Sequence, residues 1–154
     1  MLTVNRQMQD ILTVRTAGYG FCDLTGDASS WLESTGISTG LLTFFVRHTS
    51  ASLTIQENAD PDVRADLADY LFEIAPEDPG RYRHGIEGPD DMPAHIRTML
   101  TQTSLTVPVA EGRMLLGTWQ AVYLMEHRRA PHRRDVILHL LGNTVETDGS
   151  DLTF

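Results

Sequence analysis

Apolar and polar positions change rhythm several times along this chain, and each rhythm predicts an element. Residues 8–16 (MQDILTVRT) alternate with the period of a half-buried strand. A short helix is expected from about Asp27 to Thr35, with Trp31 and Leu32 inward and Gly36 as its stop. Residues 41–47 (LLTFFVR) are a continuous apolar run read as a core strand, which HTSASLTI extends after a kink. The clearest helix begins at Asp60-Pro61, where the aspartate can cap free amides and proline suits the first helical position. Val63, Leu67, Leu71 and Ile74 then recur at helical spacing until Pro76. A polar loop follows from Glu77 to Gly88, then a second main helix from Asp91 with Met92, Ile96 and Met99 on one face.

The rest of the chain reads as strand: SLTVPV, a Glu111-Gly112 turn, RMLLGTWQAVYLMEH, an arginine-rich loop and DVILHLL. The last three strands lack helical crossovers. This predicts an α+β domain of two packed, largely antiparallel β-sheets with two main helices. No repeat or linker divides residues 1–154, so one domain is expected, with a polar tail from about residue 143.

Composition removes whole classes of function. A net charge of −9 argues against general nucleic-acid binding, which needs clustered cations. All 12 cations are arginine, which excludes both a Schiff base on lysine and a P-loop lysine. No apolar run is long enough for a membrane span, the start MLTVNRQMQD lacks a leader pattern, and the single cysteine, Cys22, suits a reducing cytoplasm. A cytoplasmic protein without a membrane partner is therefore expected. The one dense basic cluster is Arg128, Arg129, Arg133 and Arg134 with His127 and His132, read either as a solvated loop or as an anion-binding one.

Four groups of residues could carry chemistry. His48-Thr49-Ser50 follows an apolar strand directly, as an anion cradle with an acid-base histidine or as a plain hydrogen-bonded turn. Glu57 and Asn58 precede the helix that starts at Asp60, where anions bind readily and where turn residues are also common. His84 and His95 lie near Glu87, Asp90 and Asp91, and imidazoles with carboxylates are ligands that zinc takes. Their eleven-residue spacing matches no standard short motif, and the two aspartates could equally cap the helix. Alternation on the Trp119 strand places Thr118, Gln120, Val122, Leu124 and Glu126 on one face. If that face is buried, Gln120 and Glu126 need partners; if it is open, they are surface residues.

Taken together, FVRHTSASLTIQENADPDV, YRHGIEGPDDMPAHI and LLGTWQAVYLMEHRRAPHRRDV resemble the signature blocks of the YjbQ-type family, often labelled secondary thiamine-phosphate synthase. The likeness runs from about residue 8 to residue 142. It implies a homotrimer with sites near subunit boundaries. The polar positions carried over are His48, Thr49, Ser50, Glu57, Asn58 and Asp60, then His84, Glu87, Asp90 and His95, then Gln120, Glu126 and Arg134.

On that basis a divalent metal, zinc or magnesium, is expected on His84 and His95, completed by His48 or an acidic neighbour. His48, Glu57, Gln120 and Glu126 are the expected catalytic groups; Thr49, Ser50, Asn58 and Arg134 are expected to hold the anion. The implied reaction joins a pyrimidine diphosphate to a thiazole phosphate and releases pyrophosphate. Another metal-dependent reaction on a phosphorylated small molecule, or non-catalytic binding of a small anion or metal, would use the same residues. Two departures stand out: Asp91 where relatives often carry asparagine, and HRRAPHRR where many have an acidic-glycine-proline turn.

Overall fold

The computed structural model describes residues 4–144. The first alternating stretch is β1 (Arg6–Arg15), and the four-residue β2 (Gly20–Asp23) follows it. Next come α1 (Thr25–Thr35), β3 (Ile37–Val46), β4 (Ala51–Glu57), α2 (Pro61–Ile74) and α3 (Asp91–Leu100). The chain closes with β5 (Ser104–Ala110), β6 (Arg113–Met114), β7 (Gln120–Glu126) and β8 (Arg133–Thr144). All pairings are antiparallel, in a five-stranded sheet ordered β1-β8-β3-β5-β6 and a three-stranded sheet ordered β2-β7-β4. The α+β architecture of two packed sheets is as the sequence predicts.

Local signals act as read. The Asp60 carboxylate accepts the Asp62 amide at 2.9 Å, and Pro61 opens α2. Glu111 and Gly112 both have positive φ (51° and 71°), which a two-residue hairpin loop between β5 and β6 requires. Gly36, at φ 67°, ends α1. Two expected strands prove to be broken. HTSASLTI does not prolong β3 but crosses to the other sheet as β4, and RMLLGTWQAVYLMEH divides into β6 and β7, one in each sheet. A turn makes the second break: the Gln120 amide donates to the Gly117 carbonyl at 3.0 Å, and the Gln120 side chain accepts the Gly117 amide at 2.8 Å. β8 continues through Thr144, and the rest of the expected polar tail lies outside the described residues.

The main core fills the space between the sheets with Leu42, Phe44, Leu53, Val122, Leu124, Val136, Leu138 and Leu140, closed by Leu24, Ala28 and Leu32 around α1. Phe72 and Leu71 of α2 and Arg97 of α3 lie against the other face of β7, beside Met125 and His127. Ala121 to Glu126 are consequently all buried, so β7 lacks the one-sided burial that its alternation suggested; Gln120 alone in the strand is exposed. Among the described residues no helix is long and apolar enough to cross a membrane.

Candidate metal centre

Asp91 and His95 stand one turn apart on α3, so both side chains leave the same face. The preceding loop brings His84 and Glu87 to that face, helped by Gly88, whose φ of 109° favours glycine. The result is a group of two imidazoles and two carboxylates whose candidate donor atoms all lie within 4.8 Å of one another. Asp91 Oδ2 is 2.7 Å from His84 Nε2 and 3.2 Å from His95 Nε2, and Glu87 Oε2 is 3.5 Å from His84 Nε2. Tetrahedral zinc with bonds of about 2.0–2.1 Å has donor separations of roughly 3.3 Å, so this donor set fits such an ion with small adjustments. Asp91 is 2% exposed, whereas the Glu87 side chain faces water at 64%.

The carboxylates do not cap α3. Asp90 makes no side-chain cap bond. Its Oδ2 instead accepts Arg128 Nε at 3.0 Å and the Arg129 amide at 2.9 Å. Arg128 Nη1 donates to Asp91 Oδ1 at 2.5 Å and Nη2 to the Glu87 carbonyl at 2.8 Å. Burial acts to raise both aspartates, but hydrogen bonds outweigh it and hold each below the usual carboxylate range. For Asp90 these come from the Arg129 amide and Arg128; for Asp91, from His84 and the Glu87 contact, aided by the Arg128 charge.

A buried network lies behind the centre. Arg134 of β8 reaches across the sandwich to Glu126 of β7 through Nε and Nη2, and Nη2 also donates to Ser50 Oγ at 2.9 Å. Glu126 further accepts Thr16 Oγ1 at 2.8 Å and the Arg128 amide at 3.0 Å. Burial pushes Glu126 up, yet Arg134, Thr16 and the Arg128 amide hold it below its ordinary value. On the helix side, His127 Nε2 meets Ser52 Oγ at 2.7 Å. Arg97, 2% exposed, donates to the Ala75 carbonyl at 2.7 Å and stacks 4.1 Å from the Phe72 ring centre, closing the end of α2.

These contacts redistribute the expected site residues. His84 and His95 converge, with ring centres 5.5 Å apart, and Asp91 and Glu87 are the acidic neighbours beside them. His48 is not part of that group; its Nε2 accepts the Asp135 amide at 2.9 Å, which occupies the lone pair a metal would need. Burial, then the Arg134 charge, lowers the His48 pKa. Glu126, Ser50 and Arg134 satisfy one another in the interior, and Thr49 lies exposed in the connection between β3 and β4. Glu57 pairs with Gln120, and the Asn58 amide donates to the Trp119 carbonyl at 3.0 Å, at the opposite end of the strands that carry Ala51 and Glu126. Six residue steps of strand separate these two ends by roughly 20 Å. One chain therefore does not bring Glu57, Asn58 or Gln120 to the imidazoles. Sequence reasoning missed Arg128 as a partner of Asp90 and Asp91. The available signal was charge: the chain's dense basic cluster answers its acidic run at Glu87–Asp91.

Residues 10–143 match the family model described as UPF0047 protein YjbQ-like. The chain is 54% identical over 137 residues to the UPF0047 protein sll1880 of Synechocystis sp., covering 89% of this chain and 93% of that protein. It is 42% identical over 135 residues to the UPF0047 protein YjbQ of Salmonella typhimurium, covering 87% and 97%. A crystal structure of an uncharacterized yjbq/upf0047 family protein from Clostridium acetobutylicum superposes with a TM-score of 0.78 at 33% identity, covering 85% of this chain and 98% of that one. A YbjQ-like protein of unknown function from Sulfolobus solfataricus shares the fold with a TM-score of 0.79 at 20% identity, covering 90% and 100%. By the extent of both the sequence match and the shared architecture, this chain belongs to the UPF0047 YjbQ-like family.

Proposed function

We propose that this protein is a metal-dependent enzyme acting on a phosphorylated small molecule, with a zinc-class ion held by His84, His95, Asp91 and Glu87. The observation that carries the reading is the convergence of two imidazoles and two carboxylates within 4.8 Å. Imidazole donors favour zinc over magnesium, which prefers oxygen ligands and retained waters. An ion bound there would supply charge stabilisation to a phosphoryl oxygen or lower the pKa of a water.

The chain's own groups suggest a division of labour. Asp91, buried and hydrogen-bonded, is the fixed anchor. Glu87 is the most exposed of the four donors and so the one that could leave the ion to hold or move a proton during turnover. His84 and His95 both turn Nε2 toward Asp91, so these two ring nitrogens are the ones that would face a cation held there. Thiamine-phosphate synthesis is the specific transferase reaction that the resemblance suggests, and hydrolysis of a phosphoester is the alternative that the exposed Glu87 favours. A cytoplasmic location fits the lone cysteine.

Self-association as a homotrimer is part of the same proposal. Its support is the uncovered face of the five-stranded sheet. There Ile11, Ile137 and Phe45 form one lateral row and Leu141, Leu41 and Pro108 another, with Phe45 and Leu41 about half exposed. Sedimentation equilibrium tests it; a monomer at micromolar concentration would remove this part of the reading.

The test of the centre is metal content by elemental analysis, then thiamine-phosphate formation and phosphate release, for wild type, His84→Ala and His95→Ala. About one equivalent of zinc in wild type and at least roughly tenfold weaker binding in each variant are expected, with turnover lost in parallel. Metal-free wild type that also takes up no added zinc would defeat the proposal.

A further inference from the structure

We infer that Arg128 is a positioning residue of this centre: its guanidinium ties the His84–Glu87 loop to the start of α3 and fixes which oxygen of Asp91 faces the metal. The inference rests on the metal-centre reading proposed above and adds a residue that touches no ion.

Three features of the geometry carry it. Each of the three guanidinium nitrogens has a different acceptor: Nε meets Asp90, Nη1 meets Asp91, and Nη2 meets the Glu87 carbonyl. Those acceptors belong to the two segments that supply all four donors, the loop with His84 and Glu87 and the helix with Asp91 and His95. A planar fork with fixed N–H directions can dock two segments in one arrangement; a lysine ammonium on a flexible stem cannot.

The second feature is the division of the Asp91 carboxylate. Oδ1 belongs to Arg128, while Oδ2 faces both imidazoles. The guanidinium thus sets the rotation of the carboxylate and leaves a single oxygen for a cation. The third feature is the anchorage of Arg128 itself. Its side chain is 18% exposed, and its amide donates to Glu126 Oε1, so the fork projects from the firmly held end of β7.

Charge alone predicts the opposite sign. A guanidinium close to a divalent cation repels it, so its removal should tighten metal binding if electrostatics were its whole role. Positioning predicts weaker binding on its removal. Lysine separates the two further, because it keeps the charge and loses the fork.

The experiment titrates metal-free wild type, Arg128→Lys and Arg128→Gln with Co²⁺, read by visible absorption, and with Zn²⁺ against a chromophoric chelator. Arg133→Gln serves as a control, since Arg133 is 65% exposed and lies outside the cluster. Melting curves without metal identify the folded range, and Arg128→Lys decides if Arg128→Gln does not fold. Both Arg128 variants should bind about 10–100-fold more weakly, with shifted Co²⁺ bands, while the control matches wild type. Wild-type affinity and bands in both variants, or tighter binding by Arg128→Gln, would overturn the positioning role while leaving the metal centre standing. Wild type that binds neither ion would remove the metal centre and, with it, this inference.

Discussion

Replacing Arg134 with methionine is expected to lower the unfolding free energy by about 3–5 kcal/mol, because it strands a buried carboxylate. The Glu126 side chain has no solvent exposure and Arg134 has 5%. Thr16 and the Arg128 amide can satisfy part of the Glu126 hydrogen-bonding capacity, but neither carries a charge to balance it. The double variant Glu126→Leu/Arg134→Met should recover most of the loss, since it removes both charges from the interior together. Urea unfolding of the two single variants and the double one at neutral pH measures this coupling. A loss below about 1 kcal/mol for Arg134→Met would mean that the pair is far better solvated than its burial indicates. The same variant separates two roles for Arg134: an arginine needed for ligand anions would affect binding without this stability cost.

The second large effect is a loss of stability on mild acidification, centred on His127. Burial, then the positive charge of Arg97, lowers its pKa from 6.5 to about 4. Between those values the unfolded chain binds a proton that the folded chain refuses, so stability falls as pH falls. The His127 contribution is intact above about pH 6.5, and the cost of its titration reaches roughly 2 kcal/mol at pH 5 and about 3 kcal/mol at pH 4. His48, lowered by burial and by Arg134, acts with the same sign. The depressed carboxylates Asp90, Asp91 and Glu126 belong to a lower range, because a depressed acid loses its contribution only as pH drops through the unfolded and then the folded value. Urea unfolding at pH 7, 6 and 5 should therefore show a declining free energy for wild type and a much flatter profile for His127→Asn. An unchanged slope in the variant would place the titrating group elsewhere.

Sequence pattern revealed most of the architecture because its signals are local. Asp60-Pro61 starts α2, Glu111-Gly112 makes the hairpin turn and Gly36 ends α1, each through the backbone of its immediate neighbours. What pattern could not reveal is which sheet a strand joins. An apolar run reads the same whether it continues in one sheet or crosses to another, and the turns after Val46 and around Gly117 carry that information in three dimensions. β2, with four residues and no clear alternation, was invisible for the related reason that its strand character comes from pairing with β7.

The candidate centre divides along the same line. His84, His95 and their acidic neighbours stand close in sequence, so donor chemistry makes them candidates and the family resemblance singles them out. The resemblance groups Glu57, Asn58 and Gln120 with them, but antiparallel pairing of β4 and β7 places these three at the far end of the three-stranded sheet. The opposite error applies to Arg128: it lies 37 residues from Asp91 in sequence, and only the fold brings its guanidinium to that carboxylate.

The two-sided burial of β7 has a kinetic consequence. With β2 and β4 bonded to its edges and packed layers above and below, the amides of Val122 to Met125 should be among the last to exchange with deuterium. Opening of such a strand approaches global unfolding. Glu126, His127 and Arg128 continue directly from this slow-exchanging segment, so the wall of the centre that carries the Arg128 fork should keep its shape until the fold itself opens.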